Sequence, residues 1–398
     1  MVSLSKLLNQ GLRDAKCYEV FHPGKTCSEF HFGKSRSLLI KCVKFFFPIA
    51  TVPLILKGKN LRKKHVREAF EYYMELILTG FLISQQVPMA WCLVRRLSGK
   101  FTECNIVYLP MTLPTWTIFF ISPRVARLFA ASIFQVTFEA AIRNSKNKIC
   151  KTFCNSKTIQ ALLFMTCSAF VLHTIQNYNV KAFWVVKSIP RPIESDIDAK
   201  CSHNGECSKF WLNDLAKNIL IGLSIDVFKT FVGSITKTNS LFNAFGNKLV
   251  HLNFPTTFFL SSYSCIYKMT SCLLNQKSDM NGELKHIIAA FLGGISFFTL
   301  PKLTILCYII SISIEISWHL FERKKFKNNL KYLELLKRIP FHRIYTCLSV
   351  GYLVQMYVFH PEALSQLGLA MVSAFTGDQA PEMKAVFHNY IKTIKHNK

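Results

Sequence analysis

Residues 282–320, GELKHIIAAFLGGISFFTLPKLTILCYIISISIEISWHL, open with charges and then run almost wholly apolar. A helix needs about 20 mostly apolar residues to cross the hydrocarbon core of a bilayer. Backbone amides in lipid have no water to bond, so a crossing segment must be helical or belong to a closed barrel. The run is long and does not alternate in polarity, which disfavours a barrel. Composition extends the reading to the whole chain. Half of the 398 residues are hydrophobic, only 18% are charged, and 35 are phenylalanine. The mean hydropathy is +0.24. A soluble chain of this length needs more charge to cover its surface. The expectation is an all-α, polytopic helical membrane protein with roughly 8–10 hydrophobic segments.

Those segments are residues 38–56, 70–94, 105–122, 126–142, 158–178, 212–236, 253–275, 285–300, 302–321 and 342–360. The first is marginal, because Lys41, Lys44, Pro48 and Pro53 interrupt it. Segments 105–122 and 126–142 read as a hairpin-like pair around Ser122-Pro123-Arg124. Between the fifth and sixth lies a polar hinge, KSIPRPIESDIDAKCSHNGECSK, with two prolines and four acids. The chain therefore divides into a Cys/His-containing head (1–37), a first transmembrane half (38–186), a polar hinge (187–211), a second half (212–360) and a tail (361–398). A small Cys/His cluster precedes each half, a placement that hints at a two-fold repeat of the kind many membrane folds carry.

The net charge of +27 raises nucleic acid as a partner. The distribution argues against it. Lys and Arg cluster between apolar runs, at Lys57 to Arg67, Arg95 to Lys100, Arg143 to Lys157 and Arg323 to Arg343. Membrane proteins place basic residues at the ends of their spans in this way, where they also meet anionic headgroups. Membrane lipids are thus the expected partners, and no nucleic-acid recognition pattern is present. The stretch MVSLSKLLNQGLRDAK contains no apolar leader core, so delivery to a membrane is expected to rely on internal segments.

Two features inside the apolar runs carry chemistry. Ionisable side chains within spans are costly and are retained for a pathway or for a structural pair. Asp226 and Lys229, three apart on one helical face, form one pair of candidates, and Lys268 and Glu315 are the others. Gly293 and Gly294 permit close helix contact, and Pro301 beside Lys302 either breaks a helix at a site or makes a tight interfacial turn. Outside the runs, CYEVFHPGKTCSEFH brings Cys17, His22, Cys27 and His31 into one short segment, and CSHNGEC brings Cys201, His203 and Cys207. These ligand types suit zinc, while a disulfide or free thiols are the alternatives. No other cofactor is expected. The HExxH, GxSxG and P-loop patterns are absent, and Asp196 and Asp198 form only a lone DxD. The reading is of a non-enzymatic protein.

The residues also resemble a known family. CYEVFHPGKTC resembles the cysteine-rich head of the transmembrane protein 135 family. SCIYKMTSC (264–272), ELKHIIAAFLGGIS (283–296) and Glu315 in SIE are similar to that family's most characteristic stretch, and CSHNGEC matches in placement. One departure is that HPGKTC lacks the tryptophan that the family tends to carry between the histidine and the second cysteine. The resemblance implies a multispan protein of peroxisomal and mitochondrial membranes with a Tim17/Tim22/Tim23-like second half. It further implies a part in mitochondrial division, peroxisome organisation and the handling of fat or sterol. Beside it stand two alternatives: a lipid or small-solute conduit with an intramembrane polar pathway, and an adaptor that recruits organelle-division proteins.

Overall fold

The computed structural model describes residues 13–22, 24–33, 35–57, 61–102, 104–178, 184, 186–189, 201, 206–235, 254–277, 280–323, 338–376, 380–386 and 389. Every element among them is helical, and none is a strand. In chain order they are α1 (Cys17–Val20), α2 (Cys27–Phe32), α3 (Ser35–Lys57) and α4 (Lys63–Ser98). A broken segment follows, made of a π turn (Cys104–Tyr108), the short α5 (Leu109–Thr112) and a 3-10 turn (Pro114–Phe119). Next come α6 (Pro123–Asn144), α7 (Lys148–Asn155), α8 (Lys157–Tyr178), α9 (Cys207–Ile235), α10 (Pro255–Lys277) and α11 (Gly282–Gly293). A second 3-10 turn (Gly294–Thr299), α12 (Leu303–Arg323), α13 (Phe341–Phe359), a third 3-10 turn (Pro361–Ala363), α14 (Gln366–Thr376) and α15 (380–386) complete the described elements.

Four of these helices are long and apolar enough to cross a membrane: Lys63–Ser98, Pro123–Asn144, Lys157–Tyr178 and Leu303–Phe321. The chain is a membrane-embedded all-α protein on that ground. The sequence count of segments is larger, and two differences have clear causes. Residues 105–122 are not one span, because Pro110 and Pro114 remove backbone donors and the path changes from π to α to 3-10. Residues 285–300 likewise give a short α11 and a 3-10 turn rather than a full helix. Helices α9, α10 and α13 form at the sequence segments 212–236, 253–275 and 342–360 but fall outside the four. Polar side chains dilute α10, which carries Lys268, Gln276 and a run of serines.

The helices gather into two compact units, residues 1–147 with 328–398 and residues 148–327. These boundaries differ from the hinge-based halves. In the first unit, α3 packs on α4, α4 on the broken segment, and α13 on both α6 and the broken segment, with α14 closing against α3, α4, α6 and α13. In the second unit, α9 packs on α10, α10 on α11 and its 3-10 turn, and α8 on α11, the turn and α12.

Apart from α14, the two lists match helix for helix. Cys27 and Cys207 stand as far apart in sequence as Cys92 and Cys272, as Ser84 and Ser264, and as Thr166-Cys167 and Thr346-Cys347. Two residues short of that interval, Phe119-Phe120 answers Phe297-Phe298, and Pro123-Arg124 answers Pro301-Lys302. The chain thus contains two repeats, α3–α4–broken segment–α6–α8 and α9–α10–α11 with its turn–α12–α13. Each repeat gives its last helix to the unit built by the other: α8 completes the second unit and α13 the first.

The same interface needs glycine in both units. A Cβ on Gly294 would stand 2.7 Å from the Met165 Cα of α8. In the first unit the glycine sits on the other side: a Cβ on Gly351 of α13 would stand 2.8 Å from the Tyr108 carbonyl oxygen. Neither contact leaves room for a side chain, because backbone atoms cannot yield as a flexible side chain can.

Candidate metal centre and polar seam

The N-terminal segment lies along the C-terminal part of α4. The Phe21 ring stacks on Trp91 at 5.2 Å, and Trp91 is almost fully buried. Arg95 donates from Nε to the Ala15 carbonyl at 3.0 Å and from Nη2 to Asp14 at 3.1 Å. Thr26 caps α2, taking the Glu29 amide while the Glu29 carboxylate takes the Thr26 amide at 2.8 Å. That amide bond holds the Glu29 carboxyl below its ordinary range.

This docking brings Cys17, His22, Cys27 and Cys92 together, with one ligand atom of each within 4.8 Å of all the others. His22 is 3% exposed. Its Nδ1 lies 2.8 Å from the Lys25 carbonyl, which can only accept, so Nδ1 carries the proton and Nε2 presents a lone pair. That lone pair lies 3.5 Å from Cys27 Sγ and 3.6 Å from Cys92 Sγ. Burial, and then the neighbouring Cys27, push the Cys17 thiol above its ordinary range. Three of the four residues are those the sequence singles out. The fourth, Cys92, is supplied by the far end of α4. His31, also a candidate, donates no ring nitrogen to the group: its carbonyl takes the Gln85 amide, and burial lowers its pKa.

The second cluster has the same plan. Cys201 and Cys207 approach to 3.6 Å, and Cys272 of α10 joins them within 4.8 Å. Gln276 donates to Cys207 Sγ at 3.3 Å. His203 lies outside the described residues. All the cysteines are free thiols.

From that cluster a polar seam runs between α9 and α10. Lys268 is 7% exposed and donates to Asp214 Oδ1 at 2.8 Å. Its ammonium also lies over the Phe210 ring, 4.6 Å from the centroid. Ser264 donates to the other Asp214 oxygen, which also takes the Asn218 amide at 3.0 Å. Further along, Asp226 Oδ2 accepts from the Thr257 amide at 2.9 Å and from its hydroxyl at 3.0 Å. It thereby satisfies one of the free donors at the start of α10.

The candidate polar residues thus separate. Lys268 and Asp226 lie on one seam, each with a partner the sequence reading does not name. The Lys229 side chain lies outside the described residues. Glu315 faces outward from α12, with His319 Nε2 at 3.9 Å. A Cβ on Gly293 would meet the Tyr267 Cβ and the Tyr263 ring of α10, and Pro301 sits in the turn between the 3-10 segment and α12.

Beside the seam, α10 turns two fully buried tyrosines toward the core. Tyr263 hydroxyl pairs with Ser168 of α8 and accepts from Trp184 Nε1 at 3.0 Å. Tyr267 hydroxyl accepts from the Ile189 amide at 3.0 Å. No protein-family model matches this chain, and no solved structure matches it.

Proposed function

We propose that this protein resides in a peroxisomal or mitochondrial membrane and handles lipid there by letting an anionic headgroup travel along the α9–α10 seam. The observation that carries the reading is the Lys268–Asp214 pair. A buried ammonium held by a single carboxylate is costly, and its partner is 24% exposed. A carboxylate or phosphate headgroup arriving from that side competes with Asp214 for the same cation. Ser264 and Asn218 then keep Asp214 hydrogen-bonded while it lets go. The acyl chains stay in the bilayer, so the seam needs to shelter only the polar end. The resemblance to a family tied to fat and sterol handling supports the same reading.

The test is reconstitution of the full chain into vesicles with fluorescent phosphatidylserine and, separately, a fluorescent fatty acid. Transfer between leaflets is expected above that of empty vesicles, and Lys268→Met is expected to abolish it in protein that still elutes as a folded species. Transfer no faster than in empty vesicles would sink the proposal.

A second reading, recruitment of organelle-division proteins, has one observation in its favour. The short α7 is basic and amphipathic, and Ile149 upon it is 75% exposed. Replacing Lys148 and Lys151 with Gln is expected to weaken partner capture and spare transfer if this reading holds.

A further inference from the structure

The repeat and the thiol geometry together bear on what the head segment is for. A zinc ion with Zn–S near 2.3 Å and Zn–N near 2.0–2.1 Å at tetrahedral angles sets an S···N edge of about 3.6 Å. The distances from His22 Nε2 to Cys27 and Cys92 are 3.5 and 3.6 Å. The ring is already in the tautomer that a metal requires, held by a backbone carbonyl on its far nitrogen, as metal-bound histidines commonly are. The second repeat again sets a cysteine from a helix start beside one from near the end of a long helix: Cys27 with Cys92, and Cys207 with Cys272. Bland packing explains one such pair; recurrence at a constant interval, each time with a further cysteine alongside, points to ligands.

We propose that Cys17, His22, Cys27 and Cys92 bind one zinc ion, a closed Cys3His centre that clamps the N-terminal segment onto α4. The donor set is of the structural type, with four protein ligands and no open position. Binding displaces the thiol protons, so the three sulfurs enter as thiolates. The ion links the start of the chain to the C-terminal end of a membrane-crossing helix, at the edge of the apolar stretch rather than inside it. The centre is independent of the seam, and its failure would leave the transfer proposal standing.

The experiment uses the full-length chain, purified in detergent from cells grown with zinc and analysed by elemental mass spectrometry. Zinc is expected to co-purify, with Cys27→Ser and Cys92→Ser each losing about one equivalent relative to wild type. Cys167→Ser, outside both clusters, is expected to lose none. Cys92→His keeps a ligand in place and is expected to retain the ion, which separates loss of a ligand from loss of fold. Cobalt exchanged into the wild-type chain is expected to show thiolate charge-transfer bands with tetrahedral d–d absorption. A wild-type chain that carries no zinc overturns the proposal. So does a folded Cys92→Ser chain with unchanged zinc content.

Discussion

Set side by side, the two repeats share a scaffold and differ in what fills it. Where the first unit has Phe46 pressed against Gly80 between α3 and α4, the second has Asp226 at the matching place between α9 and α10. Where α4 has Pro88, α10 has Lys268. Ile83 and Val87 of α4 are answered by Tyr263 and Tyr267. Ser84 and Ser264 occupy the same position: Ser84 bonds back to the Gly80 carbonyl and also to the Cys42 thiol of α3, and Ser264 bonds to Asp214 across the seam. The backbone plan therefore does not require a charge at every place on the seam: the first unit holds Phe46 and Pro88 where the second holds Asp226 and Lys268. The charges in the second unit cost stability relative to that alternative, and a function is the natural reason for their presence.

The comparison breaks most sharply at the shared glycine interface. Gly294→Val and Gly351→Val are each expected to prevent folding of their unit, since each drives Cβ into backbone; loss of a monodisperse elution peak is the measurement. If only one of the two fails, the units are not built alike. Next in size is the ion pair. Lys268→Met is expected to destabilise the second unit by about 3–5 kcal/mol by stranding a partly buried carboxylate, and adding Asp214→Leu is expected to recover most of that. Thermal unfolding in detergent reads both. If the double variant melts no higher than Lys268→Met, the seam is not an isolated pair.

The tyrosines give a smaller contrast. Tyr263→Phe deprives the Trp184 indole of its acceptor and is expected to cost about 1–3 kcal/mol, whereas Ile83→Val at the matching position costs about 0.5–1.5. Equal losses would blur the distinction between a polar and an apolar core. Smallest is the N-cap of α2: Thr26→Ala is expected to cost about 1 kcal/mol, confined to faster amide exchange in residues 24–33. The folded Glu29 carboxyl has a lowered pKa, so its contribution holds above the ordinary carboxylate range and fades as pH falls through it. Protection of the amides in that segment, taken relative to the intrinsic exchange rate at each pH, is expected to fall in acid and to hold in mild base.

Much of this is visible in the residues before folding. Long apolar runs mark the helices, and the cost of a buried charge singles out Lys268 and Asp226. Their partners are harder to see. Asp214 lies among Asn213, Lys217 and Asn218 and reads as part of a polar helix flank; only the packing of α9 on α10 sets it against Lys268. Cys92 and Cys272 read as small hydrophobes in apolar runs, since their neighbours in the clusters lie more than a helix away in sequence. The prolines at 110 and 114 do announce the broken segment, but hydropathy alone averages over them. The exchange of α8 and α13 leaves no local signal, because each helix is equally apolar whichever unit it joins.

That exchange bears on how the protein is made. A ribosome delivers α3 to α6 early, yet the helix they await lies near the C-terminal end of the polypeptide. The second unit has all its parts once residue 323 has emerged, whereas the first must stand incomplete until α13 arrives. A premature stop shortly after residue 327 would spare the later-made unit and ruin the earlier one, so nascent chains should lean on membrane chaperones longest at their oldest end.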